Sequence, residues 1–233
     1  MKPPDDDAIA RWERDFPGLS ALGQELVRRY GSVSRSYHDA RHLLEVLDAV
    51  DAMADEAVDV GVVRLAAWFH DAVYDVRTTD NEERSAELVE AVLPTYDVDE
   101  PIVMEVARLV RLTESHDPLP GDANGEVLCD ADLAILASNP DRYATYVAGV
   151  RAEYRHVDDA TFATGRSAVL RQLLGLPSLF RTRHGQTTWE AGARANVTAE
   201  LDELTATLPA TPSHPTRTPA GAQGETPTGR DAS

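Results

Sequence analysis

The stretch Tyr37-His38-Asp39-Ala40-Arg41-His42-Leu43-Leu44-Glu45-Val46-Leu47-Asp48-Ala49-Val50 decides the fold class. Its apolar residues Leu43, Val46, Leu47 and Val50 recur at three- and four-residue intervals, the spacing that lines one side of an α-helix. The same period continues through the chain, and no segment shows the alternation of a half-buried strand. An all-α bundle follows. Helices are expected at Ala8 to Phe16, Ser20 to Tyr30, Ser36 to Asp55, Val60 to Val73, Asp80 to Leu93 and Asp99 to Thr113, then at Leu128 to Ser138, Pro140 to His156, Asp159 to Leu174 and Thr187 to Leu208. Asn139 is placed to cap the helix that Pro140 opens. The one long irregular segment, Glu114 to Glu126, carries Pro118, Pro120, Gly121 and Gly125, and such loops often border sites.

At 233 residues with 42% apolar side chains, one domain with a sizeable core is the default. That domain is expected over residues 8–208, with a frayed N-terminus over 1–7. From Pro209 to Ser233 there is no Val, Ile, Leu, Met or aromatic residue, so a disordered tail is expected there. The single Cys129 has no intrachain partner, and no leader-like or membrane-spanning apolar run is present, so a cytoplasmic protein with no membrane partner is expected. The net charge of -18 repels phosphate polymers, which argues against a nucleic acid partner. A small phosphorylated substrate remains compatible, because a bound cation can invert the field inside one cleft.

Three segments place chemistry-bearing residues on apolar helix faces. His70-Asp71 ends the run Leu65-Ala66-Ala67-Trp68-Phe69 and interrupts what reads as a buried helix. A buried carboxylate needs a strong partner; a divalent cation is one, and a simple His-Asp hydrogen-bond pair is the alternative. The dipeptide by itself says little, since the chain has three of them against roughly 0.7 expected by chance. His38 and His42, four residues apart, fall on one helix face, and His42 points inward with the apolar series that it leads. Leu128-Cys129-Asp130-Ala131-Asp132-Leu133-Ala134-Ile135-Leu136 supplies two acids that lie about 200° apart on a helix, so only one can face the site. Asp132 shares its stripe with Leu128, Ile135 and Leu136, whereas Asp130 is expected near the helix start, as a wet cap. Two imidazoles and two carboxylates with open positions suit a divalent Mn, Fe, Co, Ni or Mg rather than a closed zinc site.

The order His42, then Ala67-Trp68-Phe69-His70-Asp71-x-Val73-Tyr74-Asp75, then Asp130-Ala131-Asp132-Leu133-Ala134-Ile135-Leu136 resembles HD-domain metal-dependent phosphohydrolases. With Tyr37-His38 and Asp80-Asn81-Glu82-x-x-Ser85-Ala86, it looks like a bacterial subgroup of predicted members of that superfamily. The resemblance covers roughly Tyr30 to Leu174 and implies an HD-domain-like helical bundle. It implies that His42, His70, Asp71 and Asp132 are the four metal ligands, and that the chain hydrolyses a phosphate ester or anhydride, often of a nucleotide.

Around this centre, Glu82 is the first candidate for a general base, with Asp80 and Glu83 beside it; ordinary helix-start charge is the alternative. His116 resembles the extra histidines that bind a second metal or contact phosphate in some HD proteins, and His38 is the other residue open to that role. Arg41, Arg111, Arg151, Arg155 and Arg166 are possible phosphate clamps, with Arg151 and Arg166 ahead. Trp12, Trp68 and Trp189 read as packing residues. Two other functions use the same residues: an HD-type di-iron oxygenase acting on a small molecule, with His38 and His116 as added ligands, and a non-catalytic module that binds a nucleotide.

Overall fold

Backbone N–H groups in the first turn of a helix lack an intrahelical partner, and in this chain short polar side chains supply one. Asp39 accepts from the N–H groups of Arg41 and His42, Asp59 from Val62, Asp122 from Gly125, Asn139 from Arg142 and Asp158 from Thr161. The computed structural model describes residues 4–207, and the expected disordered tail, 209–233, lies outside them. Ten α-helices run in the order α1 Pro4–Asp15, α2 Ser20–Tyr30, α3 Ala40–Ala52, α4 Val60–Phe69, α5 Asn81–Val92, α6 Glu100–Leu112, α7 Ala123–Leu133, α8 Pro140–Glu153, α9 Asp159–Gly175 and α10 Glu190–Thr207. No strand occurs among the described residues, and none of their helices is long and apolar enough to cross a membrane. Of the N-terminus expected to be frayed, residues 4–7 already belong to α1, and residues 1–3 lie outside the description.

Two apolar clusters organise the helices. The first, from α1 to α7, buries Trp12, Tyr30, Leu43, Leu47, Trp68 and Phe69, with the two tryptophan rings edge to face at 5.0 Å. Trp12 and Trp68 are therefore core, as their apolar settings suggest. The second joins Tyr37 and Leu136 to Tyr143, Tyr146, Leu170, Phe180 and Val197 of α8 to α10 and the segment before α10. Trp189 packs against both clusters.

Of the boundaries that differ from expectation, three bear on the site. The helix expected from Ser36 starts at Ala40, because the carboxylate of Glu153 takes the N–H groups of Ser36, Tyr37 and His38 at 2.8, 2.8 and 3.1 Å. His38 and His42 therefore do not share a helix face. Gly149 permits this approach of α8, since a Cβ there would lie 2.8 Å from the Ser36 carbonyl oxygen. The helix expected to continue to Val73 ends at Phe69, so His70 is its C-cap and Asp71 opens the turn that follows, instead of the pair interrupting a helix. Finally, α7 begins at Ala123, with Asp122 as its cap, which shortens the expected loop and moves Asp130 deep into the helix.

Candidate metal centre

The centre is assembled from three helix ends and turns. His42 enters from the first turn of α3, His70 and Asp71 from the end of α4, and Asp132 from the last turn of α7. Backbone contacts fix the α4 end: Tyr30 Oη donates to the Trp68 carbonyl at 3.2 Å and accepts from the Asp71 N–H at 3.3 Å. Arg35 ties that end to the neighbouring loop, donating from Nη1 to the carbonyls of His38 and Asp71 at 2.9 and 2.7 Å.

The donor atoms converge. His42 Nε2 lies 3.4 Å from His70 Nε2 and 3.1 Å from Asp132 Oδ1, and His70 Nε2 lies 3.6 Å from the same oxygen. Asp71 Oδ2 stands 3.2 Å from His70 Nε2 and 3.7 Å from His42 Nε2. Both imidazoles are buried, and Asp71 is nearly so. The His70 Nδ1 lies 2.7 Å from the Ala67 carbonyl oxygen, which can only accept. Nδ1 therefore carries a proton, and whenever the ring is neutral its Nε2 lone pair faces the cluster. Asp71 Oδ2 is buried with these two imidazoles as its ion-pair neighbours. Two imidazole nitrogens and two carboxylate oxygens turned toward one another in a buried setting are a donor set that fits a divalent cation. His42, His70 and Asp132 can hold a metal ion, their donor atoms lying within 4.8 Å of one another, and Asp71 abuts them.

The imidazoles and carboxylates of the cluster shift one another's protonation. Burial opposes protonation of His70, but the Asp71 charge and hydrogen bond, together with Asp132, outweigh it and hold His70 up at about 9. Burial acts against the charge of Asp132 as well, yet hydrogen bonds from His116 and His42 and the His70 charge keep that carboxyl well below the usual range. Asp71 is lowered in the same way, with burial opposed chiefly by His70 and His38. A cation entering this site displaces protons, so its affinity rises with pH.

His38 and His116 flank the centre without joining its donor cluster. The His38 Nδ1 lies 2.7 Å from Glu153 Oε2, and its ring stacks on Tyr74 at 4.1 Å; Tyr74 Oη donates to that same carboxylate oxygen. Burial pushes Glu153 up, but the bonds and charge of His38 and the backbone N–H groups bring it down to about 2. His116 Nε2 lies 2.8 Å from Asp132 Oδ2, and His116 adopts a left-handed backbone with φ of 50°. Only a few per cent of non-glycine residues do so, and such strain gathers at functional sites.

A cavity of about 750 Å³ opens beside the centre. His38, Glu82, His116 and Asp132 line its polar end, and Arg166 lies in its wall. Burial and the charges of Asp71 and Glu114 raise Glu82 above the usual carboxylate range. Asp80 does not line the cavity; its side chain is 61% exposed, beside Arg84, so helix-start charge is the better account of it. Arg151 does not reach the cavity either, because its guanidinium is bound to the Tyr154 and Val157 carbonyls and to Asp159. Arg41 pairs with Glu45, Arg111 pairs with Glu83 and Glu90, and Arg155 is exposed away from the cavity.

Asp130 corrects a second expectation. It is 1% exposed rather than wet, and it accepts from the N–H groups of Arg181 and Thr182 and from Thr182 Oγ1, anchoring the chain before α10. The opposed orientation of the two acids holds, but each faces a packed environment because α7 is surrounded. Glu153 and Arg35 were not singled out from sequence. Glu153 left a trace, since it continues the stripe of Tyr146 and Val150 at helical spacing, an acid on an apolar face; Arg35 left none. No family model, curated protein or solved structure matches the chain.

Proposed function

We propose that the chain is a metal-dependent hydrolase of a small phosphorylated compound, as the resemblance to HD-domain phosphohydrolases implies. One observation carries this reading: the converging nitrogens and oxygens of His42, His70, Asp71 and Asp132 sit next to a cavity large enough for a small molecule. A divalent ion held there would supply charge stabilisation at phosphate oxygen and a water of lowered pKa. In the net reaction an oxygen–phosphorus bond forms from water, the ester phosphorus–oxygen bond breaks, and the proton lost by water equals the one gained by the leaving oxygen. Glu82 lines the cavity, and as a carboxylate it can accept that first proton. His38 is held by Glu153 through Nδ1, which leaves Nε2 free to donate at the leaving oxygen.

Elemental analysis of the purified full chain, followed by a phosphatase screen over nucleotides, sugar phosphates and simple esters, tests the reading. Chelation should abolish turnover, and Mn, Co or Ni should restore it better than Ca, because imidazole nitrogens favour transition metals. Full turnover in excess chelator, with metal absence verified, would sink the proposal. The His116 contact to Asp132 Oδ2 favours a second reading, a dinuclear centre of the kind used with dioxygen in HD-type di-iron oxygenases. Two irons per chain and substrate-dependent oxygen consumption would replace the hydrolase with that reaction.

A further inference from the structure

The cavity beside the metal centre has a polar and an apolar lining. Of the apolar part, Ile135, Leu136, Val150, Phe162 and Leu173 belong to one packed cluster, and Val169 lies beside them on α9. Two of its polar lining side chains are engaged with their own loop: Asn81 accepts from the Asp75 N–H and donates to the Asp75 carbonyl, and Thr78 Oγ1 bonds to Asn81 and Asp75. A purine or ribose set against the apolar lining would find few partners there for its own polar groups.

The charge balance points the same way. Arg166 is the only lysine or arginine among the lining residues, and Glu200 holds it through Nε and Nη2 at 2.7 and 3.0 Å. The chain has one lysine, Lys2, which lies outside the described residues. Asp71 and Asp132 already offset a single divalent cation, and Glu82 adds negative charge at the cavity's polar end. A phosphate monoester brings a charge of only about -1.5 to -2, within reach of two flanking imidazoles, whereas a nucleoside triphosphate brings more than this site can balance.

We propose that the substrate is a phosphate monoester of an apolar alcohol, its alkyl or aryl body filling the Leu136–Phe162–Leu173 end while the phosphate meets the centre. This rests on the hydrolase reading above. Gly165 and Val169, one turn apart on α9, line the cavity, and a Cβ at Gly165 would meet nothing within 4 Å. Substitutions at these two positions therefore alter the apolar end without crowding the core.

Calorimetric titration of the manganese-loaded full chain with methyl-, butyl- and octylphosphonate and with adenosine monophosphate tests the inference. Affinity should rise about fourfold per buried methylene, so octyl should exceed butyl by on the order of a hundredfold. Gly165→Phe and Val169→Asp should each weaken octylphosphonate at least about tenfold while leaving methylphosphonate within about twofold. Equal affinities along the series, or tighter binding of adenosine monophosphate than of octylphosphonate, would overturn the proposal. Hydrolysis of nucleotides without any chain-length effect would overturn this inference and leave the hydrolase reading standing. A full chain-length effect with no ester hydrolysed under any metal would instead sink the hydrolase reading, and with it the role of these esters as substrates.

Discussion

Two polar clusters each contribute a side chain to the cavity, Arg166 and Asp132, and treat their charges in opposite ways. In the cluster between α8, α9 and α10, Glu200 accepts from Tyr143 Oη at 2.6 Å and from Arg166 at 2.7 Å, and Arg166 also donates to Tyr146 Oη. The negative charge there has its cation on the next helix, and the network closes on itself. In the cluster at the ends of α3, α4 and α7, two carboxylates and two imidazoles face one another, and no lysine or arginine among the described residues pairs with them. A network closed by its own arginine holds helices together, whereas converging imidazoles and carboxylates form a donor set that a divalent cation fits.

The sharpest way to break this contrast is to remove one carboxylate from the open cluster. Asp132→Asn should reduce metal affinity by more than about a hundredfold and bring turnover to background, with the fold retained, because the loss of a ligand exceeds the tenfold to hundredfold effect of removing a supporting contact. Elemental analysis and thermal melting of the same sample check both halves. Unchanged metal content would place the site elsewhere.

The closed cluster should respond in the opposite sense. Arg166→Ala leaves the buried Glu200 carboxylate with Tyr143 Oη but without its cation, and should cost about 3–5 kcal/mol in urea denaturation while metal content stays at the wild-type level. A loss of metal without a loss of stability would make Arg166 part of the site. Asp130→Asn sits between these cases. It should keep its metal and lose about 1–3 kcal/mol, because a buried acceptor of three donor groups loses its charge and turns an amide N–H toward them.

This division explains what was legible in the sequence. The helices and the inward direction of His42 follow from apolar spacing, which a single helix records by itself. Asp132 was separable from Asp130 by helix phase, a local property. The burial of Asp130 was not separable, because its partners Arg181 and Thr182 lie about fifty positions away and nothing in either segment marks the pairing. The non-helical start at Ser36 was hidden for the same reason, since Glu153 is 117 positions from the N–H that it accepts. Long-range side chain to backbone bonds override local period, and a pattern read one helix at a time cannot register them.

Glu153 makes that point measurable through pH. Glu153→Gln keeps an acceptor for the three N–H groups but presents no negative charge to His38, and should cost about 1–2 kcal/mol at neutral pH. The carboxyl is lowered to about 2 in the fold from an ordinary value of 4.5. Its contribution is therefore fully present above pH 4.5 and is lost as pH falls from there toward 2. The stability gap between wild type and variant should narrow over that window, with His38, Tyr74 and Arg35 as the neighbours whose contacts change. A gap independent of pH would mean that the carboxylate charge contributes nothing.

The smallest effect on the fold is expected at His116, where two terms oppose each other. A left-handed backbone costs a residue with a Cβ roughly 1–2 kcal/mol, and glycine removes that cost while losing more entropy on folding, by about 0.4–1 kcal/mol. His116→Gly also loses the 2.8 Å contact to Asp132, a hydrogen bond to a charged group worth about 1.5–3 kcal/mol at most and less at a site that water reaches. The terms nearly cancel, so stability should move by less than about 1 kcal/mol. Metal affinity has no such cancellation. With Oδ2 engaged by His116, the other oxygen of Asp132 is directed at His42 and His70, so removing the imidazole frees the carboxylate to rotate. Affinity should then fall about tenfold to a hundredfold, the usual effect of losing a group that orients a ligand. His116→Asn separates strain from contact, because asparagine tolerates the left-handed backbone but is too short to reach Asp132 in the same way. If both variants bind metal as wild type does, His116 is a solvated helix-end residue and the open cluster ends at Asp132.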